Sequence, residues 1–148
     1  MMIKCLAPFL CIAVRYPMTR QVPYVGYLSL GDDPHLVASE CTTCGALFFD
    51  RRNACASCGG PDFTARRLAN FGALRAFTIV HRASPGVPVP YVSGIVDLDG
   101  GGVAKANIVG IDPEPASLTL GMRLKLTTFA VATDAEGTEA VAFGYEPA

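Results

Sequence analysis

CTTCGALFFDRRNACASCGG occupies residues 41–60. Cysteines recur in it as Cys41-x2-Cys44-x10-Cys55-x2-Cys58, which makes two C-x-x-C-G knuckles. Each knuckle sets two thiolates on one side of a tight turn. Gly45 and Gly59 supply the permissive backbone that lets amide N–H groups face sulfur. Four thiolates complete a tetrahedral shell around Zn2+ and leave no open position, so the site is expected to be structural and not catalytic. The ten-residue spacer is shorter than the generic pattern but suffices for one hairpin. Its sequence GALFFDRRNA suits that use, with residues 47–49 as strand and residues 50–53 as turn. Two disulfides or four free buried thiols are the alternatives, and the pairing of the knuckles argues against both. A redox C-x-x-C enzyme would open a helix with one motif, whereas glycine follows each pair here. A zinc thiolate site also implies a reducing compartment, and hence a cytoplasmic protein.

The 148 residues around this motif suit one domain or two very small ones. Hydrophobic residues make up 51% and charged residues 17%, enough to bury a core and too apolar for intrinsic disorder. A net charge of -1, from 12 Lys+Arg against 13 Asp+Glu, excludes a strongly basic nucleic-acid-coating protein. With two His and no Trp, a histidine-rich catalytic metal centre is not expected. The dispersed 15 Gly and 11 Pro suggest short elements joined by tight turns.

Downstream of the knuckles, five stretches read as strands. Residues 72–82 (GALRAFTIVHR) form the first, and a Pro-rich loop follows at 83–90. Residues 91–98 form the second, and Asp99-Gly100-Gly101 turns into the third at 102–109. Residues 111–120 (IDPEPASLTL) hold two prolines and room for one helical turn. In residues 122–129, Met122, Leu124 and Leu126 alternate with Arg123, Lys125 and Thr127, the period of a half-buried strand. A turn at 134–137 leads to the last strand at 138–145, with Val141, Phe143 and Tyr145 on one face. Five strands with a longer link between the third and fourth suggest an OB-fold barrel, though spacing alone establishes only a small β-barrel. The expected class is therefore mainly β: a rubredoxin-like zinc ribbon at 38–68, a five-stranded OB-fold domain at 69–148, and an N-terminal extension at 1–37.

That extension opens with MMIKCLAPFLCIAVRYP, in which residues 5–14 are apolar and Pro8 interrupts them. The run is far short of the roughly 20 residues of a membrane-spanning helix. It resembles a secretory signal, but no small-x-small cleavage site follows. A lipoprotein site at Cys11 is opposed by the bulky Leu10. The expectation is that Met18 starts the protein, so that Cys5 and Cys11 need no function.

The ribbon is followed by GALRAFTIVHR (72–82), VPYVSGIVDLDGG (89–101), KANIVGIDP (105–113), LGMRLKL (120–126) and GTEAVAFGYEP (137–147). In this order the chain resembles the acyl-CoA-associated zinc-ribbon/OB-fold proteins, over residues 38–147. The resemblance implies a small non-catalytic subunit beside thiolase-fold enzymes or acyl-CoA hydratases, acting in thiolytic cleavage or condensation of acyl-CoA in lipid metabolism. It implies that the ribbon docks on the thiolase-like partner while the barrel helps complete the CoA site. Many members carry a longer helical segment before the ribbon, so contacts made by that segment are not carried over.

Charge is unevenly placed. Residues 41–82 carry six arginines against Asp50 and Asp62, a net +4 that a zinc ion with four thiolates reduces to +2. Residues 83–148 carry Lys105, Arg123 and Lys125 against eight acids, a net -5. Arg66, Arg67 and Arg75 are candidates for contact with CoA phosphates or an acidic partner surface, because guanidinium pairs bidentately with such groups. The alternative is that they form a solvated face. The rival function is nucleic-acid binding, which needs a positive groove with stacking platforms. The second and third barrel strands offer Lys105 as their only base and Tyr91 as their only aromatic, beside Asp97 and Asp99. His81 has no Ser, Cys or carboxylate at a motif spacing and reads as a structural strand residue. With no nucleophile elbow, phosphate loop or paired carboxylates, the chain is not expected to catalyse a reaction alone.

Overall fold

The computed structural model describes residues 20–148. The readings placed on residues 1–17, including Cys5 and Cys11, and the start at Met18 lie outside the described residues. Ten strands follow in order: β1 Gln21–Pro23, β2 Leu28–Ser29, β3 His35–Cys41, β4 Leu47–Phe48, β5 Phe63–Arg67, β6 Phe71–Val80, β7 Tyr91–Leu98, β8 Val103–Ile108, β9 Arg123–Thr133 and β10 Glu139–Pro147. One 3-10 turn, Pro115–Ser117, lies in the link between β8 and β9, where a helical turn was expected. Among the described residues no helix is long and apolar enough to cross a membrane.

The last five strands close on themselves. β6 pairs with β7, β7 with β8, β8 with β10, β10 with β9 and β9 with β6. Every pairing is antiparallel except β8 with β10, which is parallel because the chain crosses the barrel end between them. This is the closed Greek-key barrel of an OB-fold. Alternation explains which residues fill it. Val92, Val96 and Leu98 of β7, Ala104 and Ile108 of β8, and Leu124 of β9 point inward, while Arg123 and Lys125 stay in water. β9 runs four residues beyond the expected end at 129. Its outer part, Ala130 to Thr133, is exposed on both faces, so hydrophobic alternation no longer marks it there. Asp134 fixes the turn that follows, accepting hydrogen bonds on Oδ1 from the amides of Glu136 (2.9 Å) and Thr138 (2.8 Å).

The ribbon is a second small sheet. β3 is its centre, pairing with β5 along Val37–Cys41 and with β4 through Ser39 and Glu40. The strand at residues 47–48 therefore pairs upstream, across the first knuckle, and not within the spacer as the sequence suggested. Leu28, Leu36, Ala38 and Leu68 from this side join Leu74, Val92 and Leu124 of the barrel in one continuous core. Tyr27 links the halves again, stacking on Phe49 at 4.5 Å and meeting Phe143 edge-on at 6.0 Å.

Tyr145 of β10 is fully buried, and its hydroxyl has no hydrogen-bond partner among the described residues. Burial alone pushes its pKa up, so the phenol stays neutral. An unpaired buried hydroxyl costs about 1–3 kcal/mol of desolvation. Tyr145→Phe keeps the ring and removes that cost. It is expected to raise stability by about 1 kcal/mol, read as a higher urea midpoint with unchanged slope.

Candidate metal centre

The two knuckles repeat one backbone design. The amide of Gly45 donates to the Cys41 carbonyl at 2.8 Å, and that of Gly59 donates to the Cys55 carbonyl at 2.8 Å. The Cys41 amide donates to Ala46 O at 2.9 Å, and the Cys55 amide to Gly60 O at 2.8 Å. Gly45 and Gly59 have φ of 73° and 77°, a left-handed turn that a side chain would strain. The turns are tied together at Thr42, whose amide and hydroxyl both donate to the Asp62 carbonyl. Gly60 closes over the cluster. A Cβ there would stand 2.9 Å from Thr43 Oγ1 and about 3.5 Å from the sulfurs of Cys58 and Cys41.

The four sulfurs lie within 4.8 Å of one another. Cys41 Sγ is 3.6 Å from Cys58 Sγ, and Cys44 Sγ is 3.6 Å from Cys55 Sγ, so each close pair joins one knuckle to the other. A disulfide needs about 2.05 Å. A tetrahedron with Zn–S bonds of about 2.3 Å has edges near 3.8 Å. The spacing fits zinc and excludes the two-disulfide alternative.

Electrostatics demand a cation. The amide of Cys44, then that of Thr43, points at Cys41 Sγ and lowers its pKa to about 6 despite burial. For Cys55 burial is the largest single influence and acts upward, but the amides of Cys58 and Ser57 outweigh it and the pKa falls. Cys58 goes the other way. The Gly60 amide favours its thiolate, yet the sulfurs of Cys44 and Cys41 push it up to about 12. The backbone is arranged for thiolates, and four of them cannot coexist without a positive charge among them. Zn2+ supplies it, held by Cys41, Cys44, Cys55 and Cys58. Cys41 and Cys55 are buried while Cys44 and Cys58 are exposed, so these four thiolates would hold the ion near the surface of the ribbon and fill its four positions. Its role is to pin the two turns.

The other candidates do not converge on this centre or on each other. Arg66 donates to Glu40 Oε1 at 2.8 Å and to the Gly100 carbonyl at 2.9 Å, bracing the ribbon against the turn between β7 and β8. Arg67 pairs with Asp33, and Arg75 with Asp97 at 3.3 Å. Arg51 and Arg52 enter none of the ion pairs of the described residues, and Arg52 lies 4.8 Å over the Phe48 ring. His81 lies beyond the end of β6 in the exposed loop 81–90, not in a strand. The bracing role of Arg66 was hidden in the sequence because its acceptors are 26 and 34 residues away.

Residues 29–64 match the family described as the ChsH2 rubredoxin-like zinc ribbon domain, and residues 65–129 match the ChsH2 C-terminal OB-fold domain. No curated protein matches the chain significantly. Among solved structures, a chain of the one called "Ltp2-ChsH2(DUF35) aldolase" is similar at 27% identity and a TM-score of 0.59, covering 76% of this chain and 84% of that one. The two family matches meet at the junction between residues 64 and 65 and together span more than half of the sequence, with all four zinc ligands inside the first. With its zinc ribbon continuing into an OB-fold, this chain belongs to the ChsH2 family.

Proposed function

We propose that this chain is a non-catalytic zinc-binding subunit that docks on and stabilises a thiolase-fold enzyme, in a cytoplasmic complex acting on acyl-CoA. The observation that carries this reading is the likeness across both ribbon and barrel to a chain of a structure whose name joins ChsH2 to a second protein, Ltp2, as an aldolase. Aldolase and thiolase chemistry share one demand. A carbon–carbon bond breaks or forms beside a carbonyl, and the carbanion must be held as an enolate. Four thiolates around zinc leave no coordination position for that task, which supports reading the partner as the catalyst. This chain then supplies a rigid surface, made firm by the pinned knuckles and by the Arg66 brace between ribbon and barrel. A reducing cytoplasm suits its thiolate ligands.

Co-expression with a thiolase-fold partner encoded beside it is expected to give one hetero-oligomer on gel filtration, with zinc in this subunit. Cys41→Ser should lose the complex. Purification of the chain alone from its host, with tight binding of single-stranded DNA at physiological salt, would instead establish the nucleic-acid role.

A further inference from the structure

The edge of β10 is shared by two strands that do not meet. β1 pairs with it through Val141, and β8 joins it only at Gly144 and Tyr145. Between them Ala142 and Phe143 have no strand neighbour on that edge among the described residues. Over this gap lies a cavity of about 520 Å³, lined chiefly by Tyr24, Tyr27, Phe129, Val131 and Phe143. Tyr24 is 68% exposed and Val131 is also exposed, so apolar surface is left open to water at the mouth. Among the described residues Lys105 is the one charged residue in the lining, and it takes part in none of their ion pairs.

We propose that this cavity binds an amphipathic small molecule, with an alkyl or aryl body among the aromatic rings and a single anionic head on Lys105. Its size falls in the range of about 300–1,000 Å³ for small-molecule sites, and an apolar lining with one placed polar group is their usual chemistry. No acid among the described lining residues competes for Lys105. An added β-strand is excluded as the occupant, because only two residues of edge are free and strand addition needs a longer ladder. All the residues named in the lining belong to this chain, so binding is measured on it without a partner.

The test is calorimetric titration of the full-length, zinc-loaded chain with decanoate and with decanol. Decanoate is expected to bind at roughly one per chain. Lys105→Met should weaken decanoate about tenfold and leave decanol within twofold, since a charge-assisted hydrogen bond is lost only for the anion. Ala132→Trp, at an exposed lining position, should weaken both ligands about tenfold by filling the cavity. Unchanged zinc content and unfolding midpoint would show that both variants remain folded. Absence of decanoate binding at millimolar concentration, or binding that Lys105→Met leaves within twofold, would overturn the proposal.

Discussion

Cys41→Ser is expected to drop zinc from about one ion per chain to none and to unfold the ribbon. The apparent binding free energy of a structural zinc is about 10–16 kcal/mol at neutral pH, as large as the whole stability of a typical domain. Four sulfurs brought within 4.8 Å lose their reason to stay together once the ion leaves. The damage should spread, because Leu28, Leu36 and Ala38 belong to the same core as the barrel residues Leu74 and Val92. Hydrogen exchange read residue by residue is the direct measurement. Amides of β3 and β5 should lose protection first, while those of β7 and β8 keep part of theirs at a lowered unfolding midpoint. A variant that retained a full complement of zinc and native protection in β3 would contradict the pinning role.

Gly72→Ala should be the most damaging single methyl in the barrel. Gly72 sits in β6 opposite Leu98 of β7 and Leu124 of β9, at the point where β6 is paired on both sides. A Cβ there would lie inside van der Waals contact with the Asp97 carbonyl oxygen and 2.8 Å from Val96 Cγ1. The first of these is backbone within a ladder and cannot rotate away. Overpacking of this kind costs about 3 kcal/mol. Gly26→Ala is the control, since nothing lies within 4 Å of a Cβ at that position. It should change the unfolding free energy, read from the urea midpoint, by no more than about 0.5 kcal/mol. Equal midpoints for the two variants would show that β6 does not approach β7 so closely.

Much of the barrel was legible because its strands alternate. Residues 91–98 coincide with β7, where Val92, Val96 and Leu98 face in while Ser93, Ile95 and Asp97 face out. The zinc ligands were legible for a different reason, since knuckle spacing and the following glycine are local features that need no tertiary partner. β3 and β5 escaped the reading. In β3 the alternation of Leu36 and Ala38 stops at Ser39 and Glu40, which pair on both edges without being buried, and the Arg66-Arg67 pair gives β5 the look of a charged loop. Partners far apart in the chain were invisible as well. Arg67 and Arg75 could be suspected of meeting phosphate only while Asp33 and Asp97 were not known to face them.

β1 lies parallel to β10, with Gln21 opposite Glu139 and Pro23 opposite Val141. During synthesis this seam must wait until residues 139–141 have left the ribosome. The zinc knuckles, finished by residue 60, emerge some eighty residues sooner. A nascent chain therefore exposes its four metal ligands before the strands of its barrel are complete, so the ribbon can take up its ion before the seam closes.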